Sequence, residues 1–164
     1  MNEILQQISD QIFKLCNFQI SNFEIEAESK EYHACRFRLN GRTIISRNAK
    51  ITPKKMGQFV TFWKRIGSDP IQPFSATDPF DLFSVTVQTQ SKCGQFVFPK
   101  SILIKKGILT SATKEGKRAF RVYPPWDSPK SKQAIQTQQW QLTYFYQVGE
   151  TTDVKKVIEL YAAK

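Results

Sequence analysis

The sequence predicts an α/β fold, a mixed sheet flanked by helices, in one domain spanning residues 1–164. Three observations predict it. Apolar residues recur at helical spacing near both ends of the chain, two-residue alternation marks several segments between them, and an Asn-Gly pair separates two alternating runs. Strand groups divided by helices are expected to share one sheet with helices on its faces. The 164 residues, 40% of them hydrophobic and 13 of them Phe, suffice for a core without staples.

Residues 3–16 read as a helix, because Ile4, Leu5, Ile8, Ile12 and Leu15 fall on one face. Phe23 to Glu28 alternates strictly, predicting a strand with Glu24, Glu26 and Glu28 outward. Asn40-Gly41 predicts a two-residue hairpin, since both turn positions need positive φ. If Leu39 pairs with Arg42, then Phe37 faces Ile44 and Cys35 faces Ser46. The same ladder carried to its open end sets His33 opposite Asn48 and Glu31 opposite Lys50.

Thr52-Pro53 reads as an N-cap and first helical position, with Met56, Phe59, Val60 and Trp63 as the buried stripe of a helix ending at Gly67. Pro70, Pro73 and Pro79 mark a loop. Strands are expected over about 82–90 and 95–98, a short helix over 101–106, and a strand over 119–123 cut off by Pro124-Pro125. Ser128-Pro129 starts a helix running through Trp140 toward Phe145, and Asp153 caps a last helix carrying Val154, Val157, Ile158 and Tyr161.

The formal charge is +10, and it is uneven. Residues 41–70 hold net +6 and residues 91–132 net +8, while the remainder is net acidic. Two concentrated basic blocks point to a polyanionic partner. Phosphate-contacting candidates are Arg47, Lys50, Lys54, Lys55, Lys64 and Arg65 in the first block. The second offers Lys100, Lys105, Lys106, Lys117, Arg118 and Arg121, with Tyr123, Trp126 and Trp140 available for stacking.

Other chemistry finds little footing. Cys16, Cys35 and Cys93 are odd in number and far apart, which excludes a disulfide framework and gives no metal or redox spacing. They read as inert thiols of a reducing compartment. The single His33 falls on the inward parity of its strand, as a hydrogen-bonded structural histidine would. No glycine-rich phosphate loop occurs, so no nucleotide or redox cofactor is expected. With no signal-peptide pattern and no apolar run of membrane length, the expected location is cytoplasmic, without a membrane partner.

The runs Arg47–Lys55, Gly57–Thr61, Gly94–Ser101, Gly116–Arg118, Phe120–Asp127 and Thr137–Trp140 resemble the MepB-like family, over about residues 30 to 145. The resemblance implies a bacterial protein with a restriction-endonuclease-like fold, a PD-(D/E)XK-type core, and hence a groove facing nucleic acid. A nuclease of that kind carries an acid, one residue and a lysine on a central strand, with an acid on the neighbouring strand. Here the pattern falls on Asn48-Ala49-Lys50 with Glu31, or on Phe98-Pro99-Lys100 with Asp81. In both the lysine is present and the acid before it is missing. A neutral Asn48 holds magnesium poorly.

The expected function is therefore non-catalytic binding of nucleic acid, DNA or RNA, through the two basic blocks. Two alternatives stay open. One is a magnesium-dependent nuclease using Glu31, Asn48 and Lys50 or Asp81 and Lys100. The other is a protein- or small-ligand-interaction module linked to drug response.

Overall fold

A six-stranded mixed sheet divides the protein into two cores. The computed structural model describes all 164 residues. In chain order the elements are α1 (Glu3–Gln11), β1 (Ser21–Ile25), β2 (Cys35–Leu39), β3 (Arg42–Asn48), β4 (Lys50–Ile51), β5 (Gln58–Thr61), β6 (Trp63–Lys64), β7 (Gln72–Pro73), β8 (Leu82–Gln88), β9 (Cys93–Pro99), α2 (Lys100–Lys105), β10 (Ala119–Val122), α3 (Lys132–Leu142), β11 (Phe145–Gln147) and α4 (Val154–Ala162). The large sheet runs β1-β2-β3-β8-β9-β11, a second sheet runs β10-β5-β4, and β6 pairs with β7. Within the large sheet β3 and β8 are parallel and the other neighbours antiparallel.

One face of the large sheet packs against α1, the 3-10 turn Phe13–Cys16 and α4, burying Leu5, Ile8, Phe13, Val157 and Tyr161 on Phe37, Ile44 and Leu82. The other face, with Phe83, Val85, Phe96 and Phe98, packs against the small sheet through Val60, Phe62 and Val122 and against Leu103 of α2. Phe62 stacks on Phe83 with ring centroids 3.9 Å apart and planes 11° from parallel. Because both faces are covered, Leu82 to Val87 are all buried. Their polar members pair internally: Ser84 Oγ donates to Ser46 Oγ, Gln95 Nε2 donates to Thr86 Oγ1, and the Tyr146 and Tyr161 hydroxyls both donate to Gln95 Oε1.

The Asn40-Gly41 hairpin has the expected register, from Leu39 opposite Arg42 to Cys35 opposite Ser46, with φ of +51° and +76° at the two turn residues. The ladder stops there. Lys30–Tyr32 form a 3-10 turn and His33 takes φ +49°, so the His33–Asn48 and Glu31–Lys50 pairs do not form. His33 is exposed rather than a structural core histidine.

The largest departure is the expected helix after Thr52-Pro53, which is absent. Residues 58–61 and 63–64 instead form β5 and β6, and it is Gln58, Val60 and the intervening Phe62, two apart, that are buried. A set at 56, 59, 60 and 63 mimics helical spacing, but Met56 is 45% exposed. The deciding interaction is non-local, since β5 pairs along its whole length with β10, from Thr61–Ala119 to Gln58–Val122.

Smaller corrections follow the same logic. Helix α1 ends at Gln11, and Leu15, expected in its core stripe, is exposed. An irregularity between Ser21 and Glu24 shifts the parity of β1, so Ile25 faces out while Glu26 turns in. Helix α3 begins at Lys132, where Ser131 Oγ accepts from the Ala134 amide at 3.1 Å, and Phe145 belongs to β11. The Asp153 cap forms as expected, its carboxylate accepting from the Lys156 amide at 3.1 Å.

Glu26 serves a specific partner. Arg47 lies on central strand β3 with its side chain fully buried, and its Nη2 meets Glu26 Oε2 at 3.0 Å. Burying a guanidinium is tolerable only with its charge paired. Glu26→Ala is expected to lower unfolding free energy by about 3 kcal/mol in urea titration, because it strands the buried cation. Arg47→Met, which removes the cation itself, should cost less than half of that. Burial also pushes the thiols of Cys35 and Cys93 up to about 11. Below pH 9 each should form thiolate about 100-fold less than a thiol at its ordinary value. Reaction with a disulfide reagent at pH 8 should accordingly be slow in the native protein and fast in urea.

Candidate functional site

The small sheet is the element that brings the two basic blocks together. In its register Lys50 of β4 stands opposite Phe59 of β5, and Phe59 stands opposite Arg121 of β10. Alternation sends Val60, Val122 and Gln58 to the core and leaves Lys50, Phe59 and Arg121 on the outer face. Aromatic rings lie between the cations. Lys50 Nζ is 4.8 Å from the Tyr32 ring centroid, the Tyr32 and Phe59 centroids are 6.3 Å apart, and the Arg121 guanidinium lies 5.8 Å from Phe59. Burial first, and then the neighbouring Glu31 carboxylate, raises the Tyr32 phenol above its ordinary pKa.

Arg121 also holds the β4–β5 connection. Its Nη2 donates to Thr52 Oγ1 at 2.7 Å, and its Nη1 donates to the Met56 carbonyl at 3.3 Å. Gly57 at φ +82° is required at this turn, because a Cβ there would lie 2.7 Å from the Tyr123 ring. The connection so fixed presents Lys54 and Lys55 to solvent.

Beyond the edge of β10 the outer face continues into a groove of about 410 Å³ between β10, α3 and the segment after α2. Lys106, Lys117 and Arg121 line it with Tyr123, Trp140 and Gln133, and none of its 13 lining residues is acidic. Lys106 Nζ lies 5.5 Å from the Trp140 ring centroid. The far wall is held by Gln141, whose side chain donates to the Arg121 carbonyl and accepts from the Tyr123 amide, both at 2.9 Å. In this groove, cations flanking half-exposed rings without carboxylates among them suit a phosphate backbone whose bases or sugars meet the aromatic surface.

Several candidates do not belong to this face. Arg47 is fully buried and cannot reach a phosphate. Lys64 is paired with Asp78 at 2.6 Å and Arg65 with Glu28 at 3.0 Å. Lys100 turns back to the Asp78 carbonyl and lies 4.8 Å from the Phe80 ring centroid. Arg118 meets Glu115 at 3.1 Å. Trp126 packs edge-on against Phe145 at 5.9 Å with its indole N–H buried, so its ring is part of the core wall rather than an open platform. Lys105 remains exposed on α2. Tyr32 and Phe59 are the residues that sequence reasoning missed, because only the β4-β5-β10 register brings them among the cations.

The two nuclease-like sets lie at opposite ends of the large sheet. Asn48 pairs with Thr86 near the end of β8, whereas Asp81 precedes the first residue of that strand. Five residues of extended chain separate the two levels, about 17 Å. Asp81 accepts from the Thr43 amide at 2.8 Å, and its carbonyl accepts from the Lys100 amide at 3.3 Å. Around neither set do three or more His, Cys, Asp or Glu side chains converge in metal-holding geometry.

No helix is long and apolar enough to cross a membrane. A comparison with curated proteins returned no match. Among solved structures, the crystal structure of MepB is similar over 92% of this chain and 100% of its own, at 34% identity and a TM-score of 0.79. The MepB-like family model matches residues 26–147, a span containing β5, β10, the groove and both nuclease-like sets. The chain belongs to the MepB-like family.

Proposed function

We propose that the protein binds nucleic acid without cleaving it, along the outer face of the small sheet and the adjoining groove. The observation that carries this reading is the cross-strand row Lys50–Phe59–Arg121, where one basic block lies beside the other with aromatic rings between them. Phosphates supply most of the affinity in such a contact, and stacking on Tyr123 or Trp140 adds sequence-tolerant contact with bases.

Binding without cleavage is supported by the placement of the carboxylates. Glu26 is committed to Arg47, Asp78 to Lys64, and Asp81 to the Thr43 amide. Glu31 makes no such bond, but it stands exposed without a second carboxylate to complete a metal site. On this reading the large mixed sheet is a restriction-endonuclease-like scaffold that lacks converging acids.

Fluorescence anisotropy with labelled single- and double-stranded DNA and RNA tests the proposal. Affinity should fall steeply with salt, and Lys106→Ala and Lys117→Ala should each lower the salt slope by about 1. Lys155→Ala, on α4 across the molecule, should change nothing. Salt-independent or undetectable binding at low ionic strength would sink the reading. The same probes, incubated with magnesium or manganese and resolved on a gel, should remain intact. Shortened products that vanish in Lys50→Ala or Lys100→Ala would replace binding by nuclease activity.

A further inference from the structure

A second concavity lies on the opposite side of the large sheet from the basic groove. It has a volume of about 790 Å³ and opens at the N-terminus of α1, over the last residues of β3 and β8. These two strands form the sheet's one parallel pair. In α/β sheets the crevice beyond the carboxyl ends of parallel strands is where small ligands bind, because side chains there are held by the sheet yet released from its packing. Asn48 and Gln88 are the C-terminal residues of those strands, and both line the cavity.

The lining has two characters. Ile4, Phe23 and Ile25 give an apolar wall, whereas Asn2, Asn48 and Gln88 give carboxamides. Ile25 is 71% exposed, a large apolar side chain that the parity shift of β1 turns out of the core and onto this rim. Asn48 Nδ2 approaches Asn2 Oδ1 at 3.5 Å, and the Asn48 Oδ1 acceptor has no protein donor. Little charge gathers there: Glu3 and Lys30 are the ionised side chains, both exposed and neither in an ion pair, and the Met1 ammonium joins them at the rim. Cys35 closes the floor as an unreactive thiol, raised to about 11 by burial.

We infer that this cavity binds an uncharged planar heteroaromatic of nucleobase type. A carboxamide presents a donor and an acceptor side by side, which matches the paired donor and acceptor on a base edge. An apolar wall opposite such groups accepts the flat face of the ring, and small-molecule sites are commonly built as apolar surfaces with a few fixed polar groups. Lys30 and the Met1 ammonium are opposed by Glu3, too little positive charge to hold a polyphosphate in this cavity. The same chemistry is carried by a free nucleoside and by an unstacked base of a strand. The inference does not depend on the basic groove, which lies beyond the other face of the sheet.

Isothermal titration and thermal melting of the full chain with adenosine, guanosine, cytidine and uridine test it. At least one nucleoside should bind and raise the melting temperature. Gln88→Ala, at an exposed position that should leave the fold intact, and Asn48→Ala should each weaken that binding about fivefold to tenfold, as loss of one hydrogen bond does. Lys155→Ala should leave it unchanged. Displacement of the nucleoside by a trinucleotide at low concentration would identify the occupant as a base of a strand, and failure to displace it would identify a free nucleoside. No heat and no melting shift with any of the four at millimolar concentration would overturn the inference. Binding that survives both Gln88→Ala and Asn48→Ala would overturn it as well.

Discussion

Covering both faces of β3, β8 and β9 is the constraint on which the rest of the structure depends. A strand with one wet face can place polar side chains there freely. A strand packed on both sides must be apolar throughout or must satisfy every polar atom internally. The Ser46–Ser84 bond and the Thr86–Gln95–Tyr146–Tyr161 cluster follow from that demand. So does the Glu26–Arg47 pair, since an arginine in the middle of this sheet needs a carboxylate brought to it from another segment. Chemistry is thereby pushed to the strand ends and to the outer surfaces of the flanking layers. Both concavities described above lie in those places.

How much of this was legible in the sequence depended on the range of the interaction that decides each element. The Asn40-Gly41 hairpin was legible to the residue, because turn geometry and alternation fix its register within a dozen neighbouring positions. The Asp153 cap was legible for the same reason. Residues 52–66 were not. Their apolar positions satisfy a helical and an alternating template together, and the choice is made by a partner strand some 60 residues later. β11 was obscured similarly, as Phe145–Gln147 has no turn signal of its own and forms against β9 only once α3 has brought it there. His33 failed differently. Extending the hairpin register past Cys35 assumed a continuous strand, whereas the backbone turns into αL conformation at Ser29 and His33.

The candidate site was legible in its residue types and not in its arrangement. Charge counting found Lys50, Lys106, Lys117 and Arg121, and composition suggested Tyr123 and Trp140. Tyr32 and Phe59 lay beyond it, because a ring is recognisable as part of a cationic face only when cross-strand neighbours are known.

Charge counting also mistook the balance between the two basic blocks, for an electrostatic reason. Block sums subtract only the acids within the same stretch, but ion pairs form in space. Arg47, Arg65 and Lys64, all in the first block, are neutralised by Glu26, Glu28 and Asp78 from the acidic stretches on either side. Arg42 donates to the Ala162 and Ala163 carbonyls at the C-terminus. The first block is left with Lys50, Lys54 and Lys55 facing solvent. In the second block the one ion pair, Arg118–Glu115, is internal and already contained in its net +8. The positive field that reaches solvent therefore comes chiefly from residues 91–132. The first block contributes a short basic connection anchored by Arg121, and its other cations hold the fold together.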